Sequence, residues 1–194
     1  SLSRWGLLIL SRQEINKTSY KKEGTMKRIR SLSALVLPFF MLVLLTGCPP
    51  INIGGSGSLT YDGSIYPLTN GALENYGQGD FDVVLASSGL NAAKWEGKGN
   101  VVWFDLVSPS TIGAPGNYEW EGSDGFLLWE GGLSFDYNAT TATGDWIYAD
   151  WEKAASEDYV AISVDGSSYT IDFSVTLQNG NVLSGSYTGP LPVV

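Results

Sequence analysis

Cys48 is the residue whose side chain stands out chemically, because the chain contains a single cysteine and no histidine. One thiol allows covalent modification but no internal disulfide. Without histidine, the Ser–His–Asp and Cys–His catalytic arrangements are excluded. Ordinary zinc sites are excluded too, since their imidazole and paired thiolate ligands are missing. We therefore expect Cys48 to be a site of modification.

The segment before Cys48 has the order of a secretory signal peptide. Positive charges at Lys27, Arg28 and Arg30 precede an apolar run from Leu32 to Leu45. A basic segment, a short apolar run and small residues before a cleavage point are typical of export signals. The run is shorter than the ~20 apolar residues that a permanent transmembrane helix needs.

Leu45, Thr46, Gly47 and Cys48 resemble the lipobox of bacterial lipoproteins, in which a large apolar residue and two small residues precede an obligatory cysteine. The resemblance implies a diacylglyceryl group on the Cys48 thiol and cleavage before Cys48 by signal peptidase II. Two or three acyl chains would anchor the protein stably, because each buried methylene contributes ~0.8 kcal/mol.

The same resemblance implies an exported, membrane-anchored protein of the cell envelope. Some lipoproteins retained at the inner membrane carry Asp directly after the cysteine, whereas this chain has Pro49. We therefore expect the outer membrane, with the periplasmic and surface sides both open.

We expect the chain to have four parts. Residues 1–25 fit no export pattern. We interpret them as a translated upstream region and Met26 as the true start of the protein. Residues 26–47 would form the signal peptide helix. Residues 48–57, rich in Pro, Gly and Ser, read as a flexible tether. Residues 58–194 would form one folded domain.

The charge of the exported part limits the classes of partner. From Cys48 onward there are 3 lysines and 18 acidic residues, a net charge of −15. Nucleic acid is an unsuitable partner because its phosphates require Lys and Arg. Anionic lipid would also be repelled, so the lipid anchor must hold the protein at the membrane. The expected partners are cationic or neutral molecules or metal ions.

Eleven segments after the tether read as strands, because they are rich in β-branched and aromatic residues and several alternate with period two. They are Ser58–Asp62, Ser64–Leu68, Asp80–Ala86, Asn100–Val107, Asn117–Glu121, Phe126–Glu130, Leu133–Asn138, Asp145–Asp150, Asp158–Asp165, Ser168–Leu177 and Val182–Thr188.

Glycine-containing turns separate these segments. Asp62-Gly63, Asp165-Gly166 and Asn179-Gly180 are typical of tight hairpins. Asn70-Gly71 and Glu130-Gly131-Gly132 are interpreted as further breaks. The pattern predicts an all-β antiparallel β-sandwich, with a small β-barrel as the alternative.

The last third of the chain resembles uncharacterised lipoproteins of Bacteroidota. Their recurring features correspond here to Asp165–Phe173, the turn Asn179-Gly180 and the ending Gly185–Leu191. Tyr61–Leu68 and Gly116–Trp120 also suit the pattern. The resemblance implies a β-sandwich lipoprotein and no known activity.

Aromatic residues give the main indication of a binding site. In Asp145–Glu152, strict alternation would place Trp146, Tyr148 and Asp150 on one face. Aromatic rings beside a carboxylate suit sugar binding, because the ring packs on pyranose C–H groups while the carboxylate accepts hydroxyl protons. The alternative is that these rings fill the core of a domain without disulfides.

Other chemistries have weaker support. The stretches Glu119–Gly125 and Asp136–Asn138 offer oxygen ligands for calcium, but neither matches an EF-hand loop and both suit ordinary turns. We expect no cofactor beyond the lipid. Among 18 acidic residues some pair could always serve two-carboxylate hydrolysis, so this pattern has no specificity and we expect no enzyme.

These observations predict a non-catalytic binding or structural module. One alternative is a glycan-binding surface lipoprotein. The other is a protein-assembly partner that pairs through an exposed strand edge.

Overall fold

The computed structural model describes residues 54–194 except Ser123, Trp151 and Ser156. The predicted signal peptide, the predicted lipobox of Leu45, Thr46, Gly47 and Cys48, and most of the predicted tether lie outside the described residues. A compact unit runs from Pro50 to Val194 and contains both sheets and their core. In the part of the chain that is described, no helix has the length and apolar character to cross a membrane.

Twelve strands form the described domain. They are β1 (Ser56–Tyr61), β2 (Ser64–Leu68), β3 (Asn70–Gly77), β4 (Asp80–Ala86), β5 (Leu90–Asn91), β6 (Glu96–Val107), β7 (Gly116–Tyr118), β8 (Leu127–Asn138), β9 (Thr143–Tyr148), β10 (Tyr159–Asp165), β11 (Ser168–Thr176) and β12 (Val182–Gly189). The first strand begins at Ser56, so the last two residues assigned to the tether belong to the sheet.

The strands form two antiparallel sheets. Sheet I has the order β2-β1-β12-β11-β10-β7, and sheet II has the order β3-β4-β6-β8-β9, with the short β5 paired to β6. The sheets do not close into a barrel. The predicted all-β antiparallel β-sandwich is therefore confirmed, and the small-barrel alternative is wrong.

The main core lies between the two sheets. Phe104 of sheet II and Phe173 of sheet I meet with ring centroids 5.1 Å apart. The period-two alternation predicted for several strands is confirmed in β11, where Ile171, Phe173 and Val175 are buried while Asp172 is exposed. Burial of a large apolar side chain contributes about 1.5–3 kcal/mol, so this layer supplies the stability that disulfides cannot.

The three hairpin turns have the backbone geometry that their sequences predict. Gly63, Gly166 and Gly180 have φ angles of +70°, +60° and +83°. Glycine adopts positive φ without steric cost, so the chain can turn tightly between two strands at these positions.

Two predicted breaks are wrong, because Asn70-Gly71 and Glu130-Gly131-Gly132 both belong to strands. Gly71 belongs to β3, and β8 runs without interruption through Gly131 and Gly132. A Cβ atom on Gly131 would lie 2.9 Å from a ring carbon of Phe104. These glycines make room for side chains of neighbouring strands instead of turning the chain.

The edges of the sheets are protected to different degrees. The C-terminal residues cover β3: Leu73 N donates to Pro192 O at 2.9 Å, and Val194 N donates to Leu73 O at 2.9 Å. In sheet I, β2 carries Pro67 and β7 has only three residues. Proline and short strands both discourage pairing with another chain. β9 forms the remaining edge, at the end of sheet II.

Candidate functional site

The outer face of sheet II is the candidate site. In β4, Phe81, Val83 and Leu85 point into the core between the sheets. Side chains alternate along a strand, so Asp82 and Val84 point to the opposite, outer face. The register between strands then aligns the outer residues in rows across the sheet.

One row consists entirely of acidic residues. Glu74 pairs with Asp82, Asp82 with Asp105, and Asp105 with Glu130, so that four carboxylates lie on adjacent strands. We call these four residues the acidic row. Like charges directly opposite each other on neighbouring strands are destabilising, which makes such a row costly for the fold.

Burial and the neighbouring carboxylates change the ionisation of the row. Burial, followed by the charge of Asp105, raises the pKa of Asp82 to about 8. Burial also raises the pKa of Glu130. In both cases burial removes hydration from the charged form, which favours the protonated form.

A single tyrosine hydroxyl bridges two carboxyl groups at one end of the row. Tyr76 Oη lies 2.9 Å from Glu74 Oε2 and 2.9 Å from Asp82 Oδ2. A phenol has one proton, so it can donate to only one of them. The raised pKa of Asp82 favours a protonated carboxyl group there, which would donate to Tyr76 Oη while Tyr76 donates to Glu74.

Aromatic side chains lie beside the acidic row. Five rings form what we call the aromatic cluster. Trp146 lies at its centre and contacts Tyr137, Trp103 and Tyr148, while Trp95 contacts Tyr137. Their centroid separations lie between 5.4 and 6.3 Å. The rings are half-buried, and all except Tyr148 pack on a second apolar cluster that includes Val84, Leu90 and Val101.

Trp95 connects the aromatic cluster to the acidic row. Its indole Nε1–H donates to Glu74 Oε1. Its backbone has a φ of +50°, a conformation that a bulky residue rarely adopts. Asn70 holds the preceding loop, because its side chain donates to Leu90 O and accepts from Ala92 N, both at 2.9 Å.

Two of the three residues predicted for ligand binding lie together. Trp146 and Tyr148 share the outer face of β9, with ring centroids 6.3 Å apart and planes inclined by 27°. Asp150 lies two residues beyond the end of β9, where its carboxylate accepts from Glu152 N and pairs with Lys153 Nζ at 3.4 Å. The alternation that was used to place Asp150 therefore stops at Tyr148.

Glu130 is the carboxylate that influences Tyr148. Burial raises the pKa of the Tyr148 hydroxyl, and the charge of Glu130 raises it further. Sequence reasoning missed Glu130 because β8 was divided at that residue. The acidic row can be recognised only when the register between its four strands is known.

Trp129 is the most exposed aromatic residue of this face, with 61% of its surface accessible. The register of β8 against β6 shifts here, because Leu106 pairs with Leu128 while Asp105 pairs with Glu130. Trp129 is the extra residue of this β-bulge. Bulges reorient side chains, and this one places an indole beside the acidic row.

The stretches considered for calcium, Glu119–Gly125 and Asp136–Asn138, contain acidic side chains that the structure describes. Across residues 54–194, leaving out the three undescribed positions, no group of three or more carboxylates has the arrangement to hold a metal ion. Asp136 instead pairs with Lys98 Nζ at 3.8 Å.

No family model matches the chain, and no curated protein or solved structure gives a significant match.

Proposed function

We propose that this protein is a non-catalytic, lipid-anchored module of the cell envelope that captures glycans on the outer face of sheet II. The observation that carries the proposal is the aromatic cluster with Trp129 and Glu130 beside it. Flat rings next to carboxylates match the two surfaces of a sugar, whose C–H groups pack on rings while its hydroxyls donate hydrogen bonds.

The arrangement of the carboxylates favours binding over hydrolysis. A glycosidase needs one carboxyl group to protonate the leaving oxygen and another to act as nucleophile or base. Here Glu74 and Asp82 are bound to Tyr76, and Glu74 also accepts from Trp95. These contacts hold the two acids within the sheet surface, which suits a rigid recognition face.

Glycan capture predicts a measurable stabilisation of the domain. The unit from Pro50 to Val194 is to be unfolded thermally with a panel of neutral and amino-bearing oligosaccharides. A ligand that binds only the folded state stabilises it by about 2.7 kcal/mol at roughly 100 times its Kd. We expect the oligosaccharide to raise the thermal midpoint of the parent domain but not that of the Tyr148→Ala variant. Tyr159→Ala, a half-buried tyrosine of sheet I, is the matched control and should keep the rise. Unchanged midpoints with every oligosaccharide would refute glycan capture.

The lipid anchor makes a separate prediction. Cells are to be fed a labelled fatty acid, and the protein is then isolated. We expect the parent chain to carry the label and to lack the residues before Cys48, whereas Cys48→Ala should carry none and remain longer. Thr46→Ala keeps a small residue in the lipobox and should still be labelled. Label on Cys48→Ala would contradict the anchor.

Assembly through a strand edge is the second candidate function, and it is favoured by the position of β9. The other long edge of sheet II is covered by the C-terminal residues. β9 ends the sheet and is bonded beyond it at its last residue, where Gln178 N donates to Tyr148 O at 2.8 Å. Concentration-dependent sedimentation of the Pro50–Val194 unit, together with no response to any oligosaccharide, would favour this alternative.

A further inference from the structure

We propose that the surface formed by Trp129, Glu130 and Tyr148 selects glycans that carry free amino groups. This inference rests on the proposed glycan-binding function and names the class of sugar that the site takes. It follows from three features of the outer face: the exposed indole, its position on a bulge, and the charge around it.

The bulge fixes the direction of Trp129. Leu128 is buried in the core between the sheets, so the next side chain points outward. Glu130 also faces outward, because it pairs with Asp105 across the sheet. A regular strand would place consecutive residues on opposite faces, whereas the bulge places Trp129 and Glu130 on the same one.

The exposure of Trp129 distinguishes it from the aromatic cluster. The rings of the cluster are half-buried, and most of them also pack on the second apolar core. Trp129 leaves 61% of its surface in solvent and belongs to neither apolar core. An indole has only two rotatable side-chain bonds, so it offers a large flat binding surface with little conformational entropy to lose.

The charge beside Trp129 favours a cationic ligand. The acidic row ends at Glu130, and the two ion pairs found among the described side chains use Asp136 and Asp150 instead. An ammonium group at this position would gain a cation–π contact with the indole and a charge-assisted hydrogen bond to the carboxylate.

The same charge disfavours the other classes of glycan. The net charge of −15 that follows from 3 lysines and 18 acidic residues repels sulfated or carboxylated sugars. A neutral sugar can pack on the indole but brings no positive charge to Glu130. An amino sugar satisfies both the ring and the carboxylate, and we therefore assign this chemistry to the site.

The test uses two ligands that differ only at the amino group. Affinities of the Pro50–Val194 unit are to be measured for a β-linked glucosamine hexasaccharide and for its fully N-acetylated counterpart, slightly below neutral pH, where the amines are protonated. We expect the amine form to bind about 10-fold more tightly, which corresponds to about 1.4 kcal/mol. Added salt should reduce this preference because it screens the charges.

Two variants with matched controls locate the site. Trp129→Ala should weaken the binding of both oligosaccharides, whereas Ile65→Ala, which removes another exposed apolar side chain, should not. Glu130→Gln keeps the shape of the side chain and should remove the preference for the amine form. Asp172→Asn removes an exposed charge from sheet I and should leave that preference intact.

The outcomes separate this inference from the proposed function. Equal affinities for the two hexasaccharides, both reduced by Trp129→Ala, would overturn the amine preference and leave glycan capture standing. An amine preference that survives Glu130→Gln would also overturn it. If neither hexasaccharide binds and no neutral oligosaccharide raises the thermal midpoint, both the amine preference and glycan capture are refuted.

Discussion

Replacing Asp82 with asparagine is expected to stabilise the domain at neutral pH and to flatten its dependence on pH. We expect the thermal midpoint at neutral pH to rise by about 4 °C or more, because 1 kcal/mol moves the midpoint of a domain this size by roughly that amount. Asparagine keeps the shape of the side chain but needs no proton.

The direction of the pH dependence follows from the raised pKa of Asp82. Burial and then the charge of Asp105 move this pKa from 3.8 to about 8. Below the lower value both the folded and the unfolded chain hold the proton. Between the two values only the folded chain holds it, so the free energy of unfolding falls as the pH rises through this window. Above the upper value this contribution stops changing. In Asp82→Asn the contribution is absent.

The measurement is denaturant unfolding from about pH 4 to about pH 9 for the parent and two variants. Asp172→Asn is the control, since this aspartate is exposed on sheet I. It should keep the slope of the parent chain. If Asp82→Asn shows the same loss of stability with rising pH as the parent, a protonated Asp82 that donates to Tyr76 in the folded state is refuted.

Asp158→Ala is expected to destabilise the domain by about 2–4 kcal/mol. The Asp158 carboxylate is buried and accepts hydrogen bonds from Thr176 N and Thr176 Oγ1, both at 2.9 Å, and from Trp120 Nε1 at 3.2 Å. Alanine would leave the Thr176 amide buried without its partner. Unpaired buried donors are costly because they have lost their hydration as well.

Asparagine at the same position separates hydrogen bonding from charge. Its carbonyl oxygen can accept from Thr176 N and Trp120 Nε1. Its amide group can donate to the Thr176 hydroxyl, because a hydroxyl group can act as acceptor as well as donor. We therefore expect Asp158→Asn to lose clearly less stability than Asp158→Ala in denaturant unfolding. Glu157→Ala, at the exposed neighbouring position, should be close to neutral. Equal losses in the two Asp158 variants would contradict this role.

The parts of the fold that the sequence predicts are those determined locally. The alternation of β11 and the glycines at Gly63, Gly166 and Gly180 depend on a few neighbouring residues, and the structure confirms them. β3 was missed because its segment contains Gly71 and several polar residues. It becomes a strand through pairing with β4 on one side and the C-terminal residues on the other.

The candidate site depends on long-range register and was only partly predictable. Trp146 and Tyr148 lie on one strand, so period-two alternation was enough to place them on one face. The acidic row brings together residues from four strands, and its members are up to 56 positions apart, from Glu74 to Glu130. Trp129 required knowledge of a bulge, which shifts one strand by one residue and leaves no mark in the local pattern.

The most direct test of glycan capture is to follow the indole N–H signals of the tryptophans by NMR while the Pro50–Val194 unit is titrated with the glucosamine hexasaccharide. Glycan capture on the outer face of sheet II predicts that the signals of Trp129 and Trp146 move, while that of Trp120, which is bonded to Asp158, stays in place. Signals that all remain fixed, or a shift confined to Trp120, would contradict the proposed site.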